Sequence, residues 1–246
     1  MLKKDKKMSW GWTIVLIAIG LVCIYPFLFM VSSSFKISGD VLTKPLQLIP
    51  DQIIFSNYSD LFGDPYYDFG QWYINTIVMT VTTIVIKVFV VSITAYAFSK
   101  INFKGRDGIF LVLLTSLMIP SDIMLIPRYV IFKQIHILDT MWSLVLPATF
   151  DIYFVFMMRQ AFIGIPEEIS EAARIDGCSH FQIYSRIILP LAKPSIVTLI
   201  LFTFVWSWND YMGPYIFISS LEKQMLSVGI KLFAEGTVTD PALQMS

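Results

Sequence analysis

Long apolar runs separated by short polar segments dominate the chain. Thr13–Val31 contains no charged residue, and Tyr73–Phe98 is interrupted only by Lys87. Three further apolar runs are Gly108–Pro127, Thr140–Met158 and Pro194–Ile218. Because a helix needs roughly 20 apolar residues to cross the hydrocarbon core of a bilayer, the pattern predicts five transmembrane spans. The predicted fold class is an all-α polytopic transmembrane helical bundle.

The first apolar run could be a secretory signal or a permanent anchor. It follows a lysine-rich tail, as a signal sequence does, but it is longer than a signal core of 7–15 residues. It also ends in the bulky segment 25–30 rather than in a small-residue cleavage site. We interpret it as a retained anchor and the first span, preceded by an N-terminal tail of residues 1–12.

The basic residues predict how the spans are oriented. Eleven of the eighteen Lys and Arg residues lie in the N-terminal tail and in the loops 99–107 and 159–193. Since cytoplasmic loops carry the excess of Lys and Arg, these segments are predicted to be cytoplasmic. The outer loops are then 36–70, 128–139 and 219–246, and residues 13–246 form one transmembrane domain. Five spans leave the C-terminus outside, so we expect a sixth span to be missing there.

The composition agrees with a membrane protein and excludes several other classes. Hydrophobic residues make up 56% and charged residues 15%, against roughly 45–50% and about 25% in soluble chains. The sequence has no dense basic stripe, so no nucleic-acid partner is predicted. The two cysteines, Cys23 and Cys178, are too few for a disulfide scaffold. His136 and His180 are isolated, so no metal site is predicted.

The predicted cytoplasmic loop 159–193 has the pattern of two short helices joined by a turn. Gly177 suits the left-handed conformation that ends a helix. Ser179, followed three residues later by Gln182, is a capping box that starts a second helix. Phe181 and Tyr184 are three residues apart and share one face of that helix. An exposed aromatic face predicts a docking site for another protein.

The same loop resembles a known family. Glu171-Ala172-Ala173, Gly177 and the ending Ile187-x-Leu189-Pro190 match the EAA loop of ABC importer permeases. The extension Arg174-Ile175-Asp176 and the segment 189–194 resemble the carbohydrate branch, in particular the smaller subunit of a maltose-type permease pair. Further resemblances follow along the chain, at Ala95-Tyr96-Ala97-Phe98, Met118-Ile119-Pro120 and Trp208-Asn209-Asp210-Tyr211.

The resemblance implies an ATP-driven, binding-protein-dependent importer in a prokaryotic cell membrane. Two permease subunits form the pore, a cytoplasmic ATPase dimer drives it, and an extracytoplasmic solute-binding protein delivers a carbohydrate, with oligosaccharide as the expected class. This chain would be no enzyme and would bind no cofactor, since ATP and Mg are used by the ATPase. The absence of a G-x-x-x-x-G-K-[ST] motif agrees.

The resemblance also assigns candidate site residues. Contact with the ATPase is implied for the loop residues Glu171, Ala172, Ala173, Asp176, Gly177, Cys178, Phe181 and Tyr184. A capping role on a surface helix is the alternative for Glu171. The candidate translocation path is Trp206, Trp208, Asn209, Asp210 and Tyr211, because sugars stack on aromatic rings and hydrogen-bond to amides and carboxylates. Tryptophan and tyrosine also serve simply as anchors at the membrane interface.

Two alternatives to a sugar importer remain open, and one of them depends on the charged residues inside the apolar runs. Lys87 is expected to pair, as a structural residue, with a carboxylate or with backbone carbonyls of a neighbouring span. Asp151 of the fourth run is the natural partner, and a position of Asp151 near a membrane surface is the alternative. The rival is an ion-coupled secondary transporter that uses Lys87, Asp151 and Asp210 as a relay. A permease for a non-sugar solute is the other alternative. Asp122 and Arg128 are expected to be solvated or to form a helix-end pair.

Overall fold

The computed structural model describes residues 10–44, 47–64 and 66–235, and every regular element in these ranges is helical. The predictions for residues 1–9 and 236–246 lie outside the described residues. The α-helices are α1 (Trp10–Ser33), α2 (Ser38–Thr43), α3 (Ser56–Phe62), α4 (Phe69–Lys100), α5 (Arg106–Thr115), α6 (Leu125–Gln134), α7 (Trp142–Thr149), α8 (Ile152–Ile163), α9 (Glu167–Ile175), α10 (His180–Ile183), α11 (Leu189–Leu191), α12 (Lys193–Trp208), α13 (Met212–Phe217) and α14 (Leu226–Glu235). Two 3₁₀ turns, Ser116–Met118 and Ser121–Met124, lie between α5 and α6, and a third, Leu221–Lys223, precedes α14. Tyr184–Ile188 is π-helical.

The helical class that the apolar runs predict is confirmed, and the first two runs form unbroken helices. α1 and α4 are each long and apolar enough to cross a membrane. Two bent helix pairs could supply two more crossings: Arg106–Met118 with Ser121–Gln134, bent by 91°, and His180–Leu191 with Lys193–Trp208, bent by 80°. α8 is a shorter apolar helix.

Each of the last three apolar runs is divided between more than one helix. The third run breaks at Ile119, which is extended because the ring of Pro120 disfavours helical backbone in the residue before it. The fourth breaks at Phe150 and Asp151, where the Asp151 side chain accepts a hydrogen bond from the N–H of Tyr153 and starts α8. In the fifth run, α12 ends at Trp208, Asn209 is its C-cap, and the separate helix α13 follows.

The chain divides into two compact units, Met1–Phe69 with Ile230–Ser246 and Gly70–Gly229. In the first unit, α1 exposes most of its apolar side chains, as a lipid-facing helix does. The segment after α1 is held by Asn57, whose side-chain amide donates to the carbonyls of Ser34 and Lys36 at 2.8 and 3.0 Å. Phe233 packs edge-on against Tyr67 and Phe69.

The second unit, Gly70–Gly229, contains two hydrophobic clusters. One joins the C-terminal half of α4 to α8 and to the region of α9 and α10, and includes Val91, Phe154, Met158 and Ile183. The other joins the N-terminal half of α4 to α6, α7 and α13, and includes Met79, Phe132 and Phe217. α4 therefore runs through both clusters. Residues 128–134 of the predicted outer loop 128–139 belong to α6 and are helical.

Candidate functional site

The candidate coupling loop is a helical hairpin, formed by α9, a tight turn and α10. Pro166 is extended and α9 begins at the next residue, so that Glu167 and Glu168 occupy its positive N-terminal end. Gly177 ends the helix with φ +83°, a conformation that glycine adopts without steric cost. The N–H of Cys178 donates to the carbonyl of Ala173 at 2.9 Å.

The predicted capping box that starts α10 is present. The N–H of Gln182 donates to Ser179 Oγ at 3.3 Å, and the N–H of Ser179 donates to Gln182 Oε1 at 2.8 Å. α10 runs into the π-helical turn and then into α11, which ends at Leu191. The two-helix interpretation of this segment is therefore confirmed.

The hairpin exposes most of the residues that the resemblance assigns to ATPase contact. Phe181 is 61% exposed, and Cys178 is partly buried. The other exposed residues of this set are Glu171, Ala172, Asp176 and Gly177. In the described part of the chain, Glu171 makes no hydrogen bond or ion pair. An exposed, unpaired carboxylate beside an exposed aromatic ring is a surface that a basic partner can contact.

Tyr184 and Ala173 do not belong to this exposed surface, and the expected exposed aromatic pair is wrong for Tyr184. Tyr184 is only 4% exposed. Its hydroxyl shares a hydrogen bond of 2.7 Å with Ser92 Oγ of α4, and its ring lies 5.4 Å from that of Tyr96. The periodicity placed Phe181 and Tyr184 on one face, but α4 covers the half of that face that carries Tyr184.

A second group of contacts fastens the base of the hairpin to α4. The buried ammonium of Lys100 donates to the carbonyl of Ile165 at 2.6 Å and to Glu167 Oε2 at 3.1 Å. Glu167 also pairs with Arg174 at 2.7 Å, and this ties the two ends of α9 together. From the sequence, Lys100 counts only as a loop charge. Its position at the end of a long apolar run, where a basic residue interacts favourably with a helix C-terminus, could have marked it as part of the helix.

Arg159 supports the same region from α8. Its Nε donates to the carbonyl of Phe98 at 3.0 Å, its Nη2 lies 3.0 Å from Asp107 Oδ1, and its guanidinium lies 4.4 Å from the ring centre of Phe110. These contacts join the C-terminal turns of α4 to α5 and α8. These packed helices, joined to the hairpin through Lys100, form its support.

A cavity of about 930 Å³ lies within the second unit, lined by α4, the α5–α6 segment, the α7–α8 break and α12. Of the predicted path residues, Trp206, Asn209 and Asp210 line it. Trp208 and Tyr211 are not in its wall: Trp208 packs against Tyr73 and Phe204, and Tyr211 stacks on Tyr215. The cavity is large enough for a sugar-sized ligand.

Lys87 and Asp151 form the predicted ion pair in the wall of this cavity. Lys87 Nζ lies 3.0 Å from Asp151 Oδ2, and the lysine is 4% exposed. The ammonium also lies 4.5 Å from the ring centre of Phe154 and 5.8 Å from that of Trp206. One cation therefore links α4, the start of α8 and α12 through an ion pair and two cation–π contacts.

Arg128 differs from its expected place. It lines the cavity from α6 and is partly buried, whereas a solvated residue or a helix-end pair with Asp122 was expected. Among the described residues it has no hydrogen bond or ion pair. The break at Pro120 turns α6 away from α5, and this brings the arginine to the cavity wall instead of to the end of a continuous span.

The comparison with protein families decides the class of protein. Residues 87–234 match the family described as "Binding-protein-dependent transport system inner membrane component". The chain belongs to this family. The matched segment contains the hairpin, the cavity wall and the Lys87–Asp151 pair. A member of this family is a multi-pass protein of the inner cell membrane that works in a transport system with a binding protein.

The relatives of this chain include transport permeases. The chain is 31% identical over 222 residues to the arabinooligosaccharides transport system permease protein AraQ of Bacillus subtilis, with coverage of 89% of this chain and 78% of the relative. It is 28% identical to the diacetylchitobiose uptake system permease protein NgcG of Streptomyces coelicolor, with coverage of 92% and 74%.

A solved structure shares the fold of this family member. It is the crystal structure of a bacterial ABC transporter involved in the import of the acidic polysaccharide alginate. The TM-score is 0.84 at 25% sequence identity, and the alignment covers 97% of this chain and 85% of that chain. The aligned region therefore includes the bent helix pairs as well as α1 and α4.

Proposed function

We propose that this chain is one of two permease subunits of an ATP-driven, binding-protein-dependent importer of oligosaccharides. Its family membership supports the transport role. The sugar class is supported by relatives that carry arabinooligosaccharides and diacetylchitobiose in their names. The observation that carries the proposal within this chain is the helical hairpin, which presents an unpaired carboxylate on α9 and an exposed phenyl ring on α10.

In this proposal the hairpin docks on the ATPase. Glu171 pairs with a basic residue of the ATPase, Phe181 fills an apolar pocket in it, and Gly177 lets the turn approach closely. Ala172, Asp176 and Cys178 complete the contact surface. Tyr184 and Ala173 do not contact the ATPase; they pack the hairpin against its support. Displacement of the hairpin by ATP-driven closure then reaches α4 through Lys100, Ser92 and Tyr96.

The cavity is proposed as this subunit's part of the translocation path. Trp206 offers a half-exposed ring for stacking, and Asn209 and Asp210 offer polar atoms for sugar hydroxyls. Trp208 and Tyr211 support the wall by packing against neighbouring rings. A second permease subunit supplies the remaining wall, and the N-terminal tail faces the cytoplasm. ATP and Mg are used by the ATPase dimer, and this chain binds no cofactor.

The ion-coupled alternative is disfavoured by the surroundings of Lys87. A proton or ion relay needs a group that can exchange its partner, whereas this ammonium is held by a carboxylate and two aromatic rings. These contacts are those of a structural pair.

The experiment is uptake by proteoliposomes that contain the complete complex and its binding protein. Import that requires ATP inside and survives collapse of the ion gradients supports the proposal. Import that persists without ATP and stops when the proton and sodium gradients are collapsed would overturn it.

A further inference from the structure

The charges in the cavity wall do not all have partners. Four charged side chains line it: Lys87, Arg128, Asp151 and Asp210. Lys87 and Asp151 neutralise each other at 3.0 Å. Asp210 accepts a hydrogen bond from the N–H of Gly213 at 3.1 Å, in the first turn of α13. Within the described part of the chain, Arg128 alone of the four has neither a hydrogen bond nor an ion pair.

A partly buried guanidinium without a partner is costly unless something else compensates its charge. Asp210 lies near enough to act on Arg128 electrostatically, but the two form no ion pair in this structure. The Asp210 carboxylate is turned onto Gly213, whose position leaves no room for a Cβ beside it. The cavity therefore offers an incoming ligand one free cationic group and one carboxylate that is already engaged.

A second polar group in the wall is also without a partner. Thr203 of α12 is 1% exposed, and its hydroxyl makes no hydrogen bond to any described residue. It lies one helical turn before Trp206, whose ring is 49% exposed. A buried hydroxyl without a partner is costly, so a ligand that reached it from the cavity would gain a hydrogen bond. A cation, a hydroxyl and an aromatic face together suit a sugar that carries an anionic group.

We propose that Arg128 is an anion subsite of this cavity and that the cargo is an oligosaccharide with a carboxylate, as in a uronic acid. This inference rests on the proposed function and adds the chemical class of the substrate. A guanidinium binds a carboxylate through two parallel hydrogen bonds. The four wall charges cancel, so a carboxylate adds one negative charge to the cavity. A phosphate monoester adds about two and is therefore opposed more strongly by Asp151 and Asp210.

The test is binding of sugars to the complete permease–ATPase complex in nanodiscs. The probes are di- and trisaccharides of galacturonate and glucuronate in α and β linkages, their neutral counterparts, and a hexose phosphate. The wild type is expected to bind at least one uronate about tenfold more tightly than its neutral counterpart, because one paired charge is worth roughly that factor. Tighter binding of the hexose phosphate than of every uronate would overturn the carboxylate assignment.

Variants separate recognition by Arg128 from a structural role. Arg128→Gln is expected to remove the preference for the uronate and to leave the neutral sugar unchanged, whereas Lys133→Gln on the same helix, which does not line the cavity, is the matched control. Asp210→Asn is expected to tighten uronate binding, and such a gain cannot come from misfolding. Equal weakening of both sugars in Arg128→Gln, or no uronate preference in the wild type, would overturn the inference.

The two proposals fail separately. If ATP drives uptake of neutral oligosaccharides while no uronate binds, the inference about Arg128 is wrong and the importer proposal stands. If no ATP-dependent uptake of any oligosaccharide occurs, the importer proposal itself is contradicted.

Discussion

Lys87 Nζ lies 3.0 Å from Asp151 Oδ2, and this ion pair joins α4 to the break between α7 and α8. Asp151 also starts α8 by accepting the N–H of Tyr153 through its other oxygen, at 3.0 Å. The Asp151 carboxylate therefore both caps α8 at the helix break and neutralises the buried lysine. Two side chains that are far apart in the sequence hold the helix break in place.

Removing one partner of this pair is expected to destabilise the protein more than removing both. Lys87→Met leaves the carboxylate unpaired and Asp151→Asn leaves the ammonium unpaired, each at a cost of about 3 kcal/mol, since an uncompensated buried charge is left behind. The double variant is expected to recover part of this loss. The measurement is the unfolding free energy of the purified subunit pair in detergent.

The control for this prediction is the exposed pair of Lys44 and Asp51, 2.6 Å apart. Lys44→Met is expected to leave the unfolding free energy unchanged, because solvent screens the charges of an exposed pair. A double variant of Lys87 and Asp151 that is less stable than either single variant would contradict the structural role.

Phe181 and Tyr184 are expected to respond in opposite ways. Phe181→Ala removes an exposed ring and is expected to weaken ATPase binding about tenfold, as truncation of a central interface residue does. Tyr184→Phe removes the hydrogen bond to Ser92 and is expected to lower stability by about 1 kcal/mol without affecting ATPase affinity. Affinity is measured on immobilised nanodiscs. Normal binding by Phe181→Ala would show that the exposed ring is not part of the contact.

Lys100 is expected to affect coupling rather than docking. Lys100→Met frees the base of the hairpin from α4, so the ATPase still binds but less sugar is transported for each ATP hydrolysed. Lys104→Met, an exposed lysine four residues later, is the matched control. The readout is the ratio of sugar transported to ATP hydrolysed in proteoliposomes. An unchanged ratio in Lys100→Met would show that α4 does not carry the movement.

Asp139 ties the segment before α7 to the loop that follows α13. Its carboxylate accepts hydrogen bonds from the N–H groups of Ser219 and Ser220, from Ser220 Oγ and from Lys223 Nζ. Burial alone would raise the pKa of Asp139, but the hydrogen bonds from Ser220 and Lys223 outweigh it and hold the pKa well below its usual range.

This depressed pKa makes a prediction about pH. A carboxyl whose pKa is lowered by folding stabilises the protein above its ordinary pKa of about 4, and the contribution is lost as pH falls toward the folded-state pKa. Asp139→Asn is therefore expected to be less stable than the wild type at pH 7, with a gap that narrows at pH 3. Asp60→Asn, an exposed site, should show no gap at either pH. A gap that stays constant with pH would contradict the hydrogen-bonded carboxylate.

Local sequence signals predicted the parts of the structure that depend on neighbours along the chain. The unbroken α1 and α4, the left-handed Gly177 and the capping box at Ser179 follow from apolar length, the missing Cβ and side-chain reach. The pairing of Lys87 with Asp151 was also predictable, because a cation in an apolar run needs a carboxylate at membrane depth.

Features that depend on tertiary contacts were not predictable. Membrane helices tolerate proline, so Pro120 in the third run did not by itself predict a break. The burial of Tyr184 depends on Ser92 and Tyr96, which helical periodicity cannot place beside it. Arg128 reaches the cavity only because of the bend between the two halves of the third run.

The most direct test of the account is co-purification of the ATPase with this chain and its partner permease. The wild type is expected to retain the ATPase, and Glu171→Lys is expected to release it because the charge at the hairpin surface is reversed. Glu222→Lys makes the same charge change outside the hairpin and should retain the ATPase. Retention by Glu171→Lys equal to that of the wild type and of Glu222→Lys would contradict docking through the hairpin.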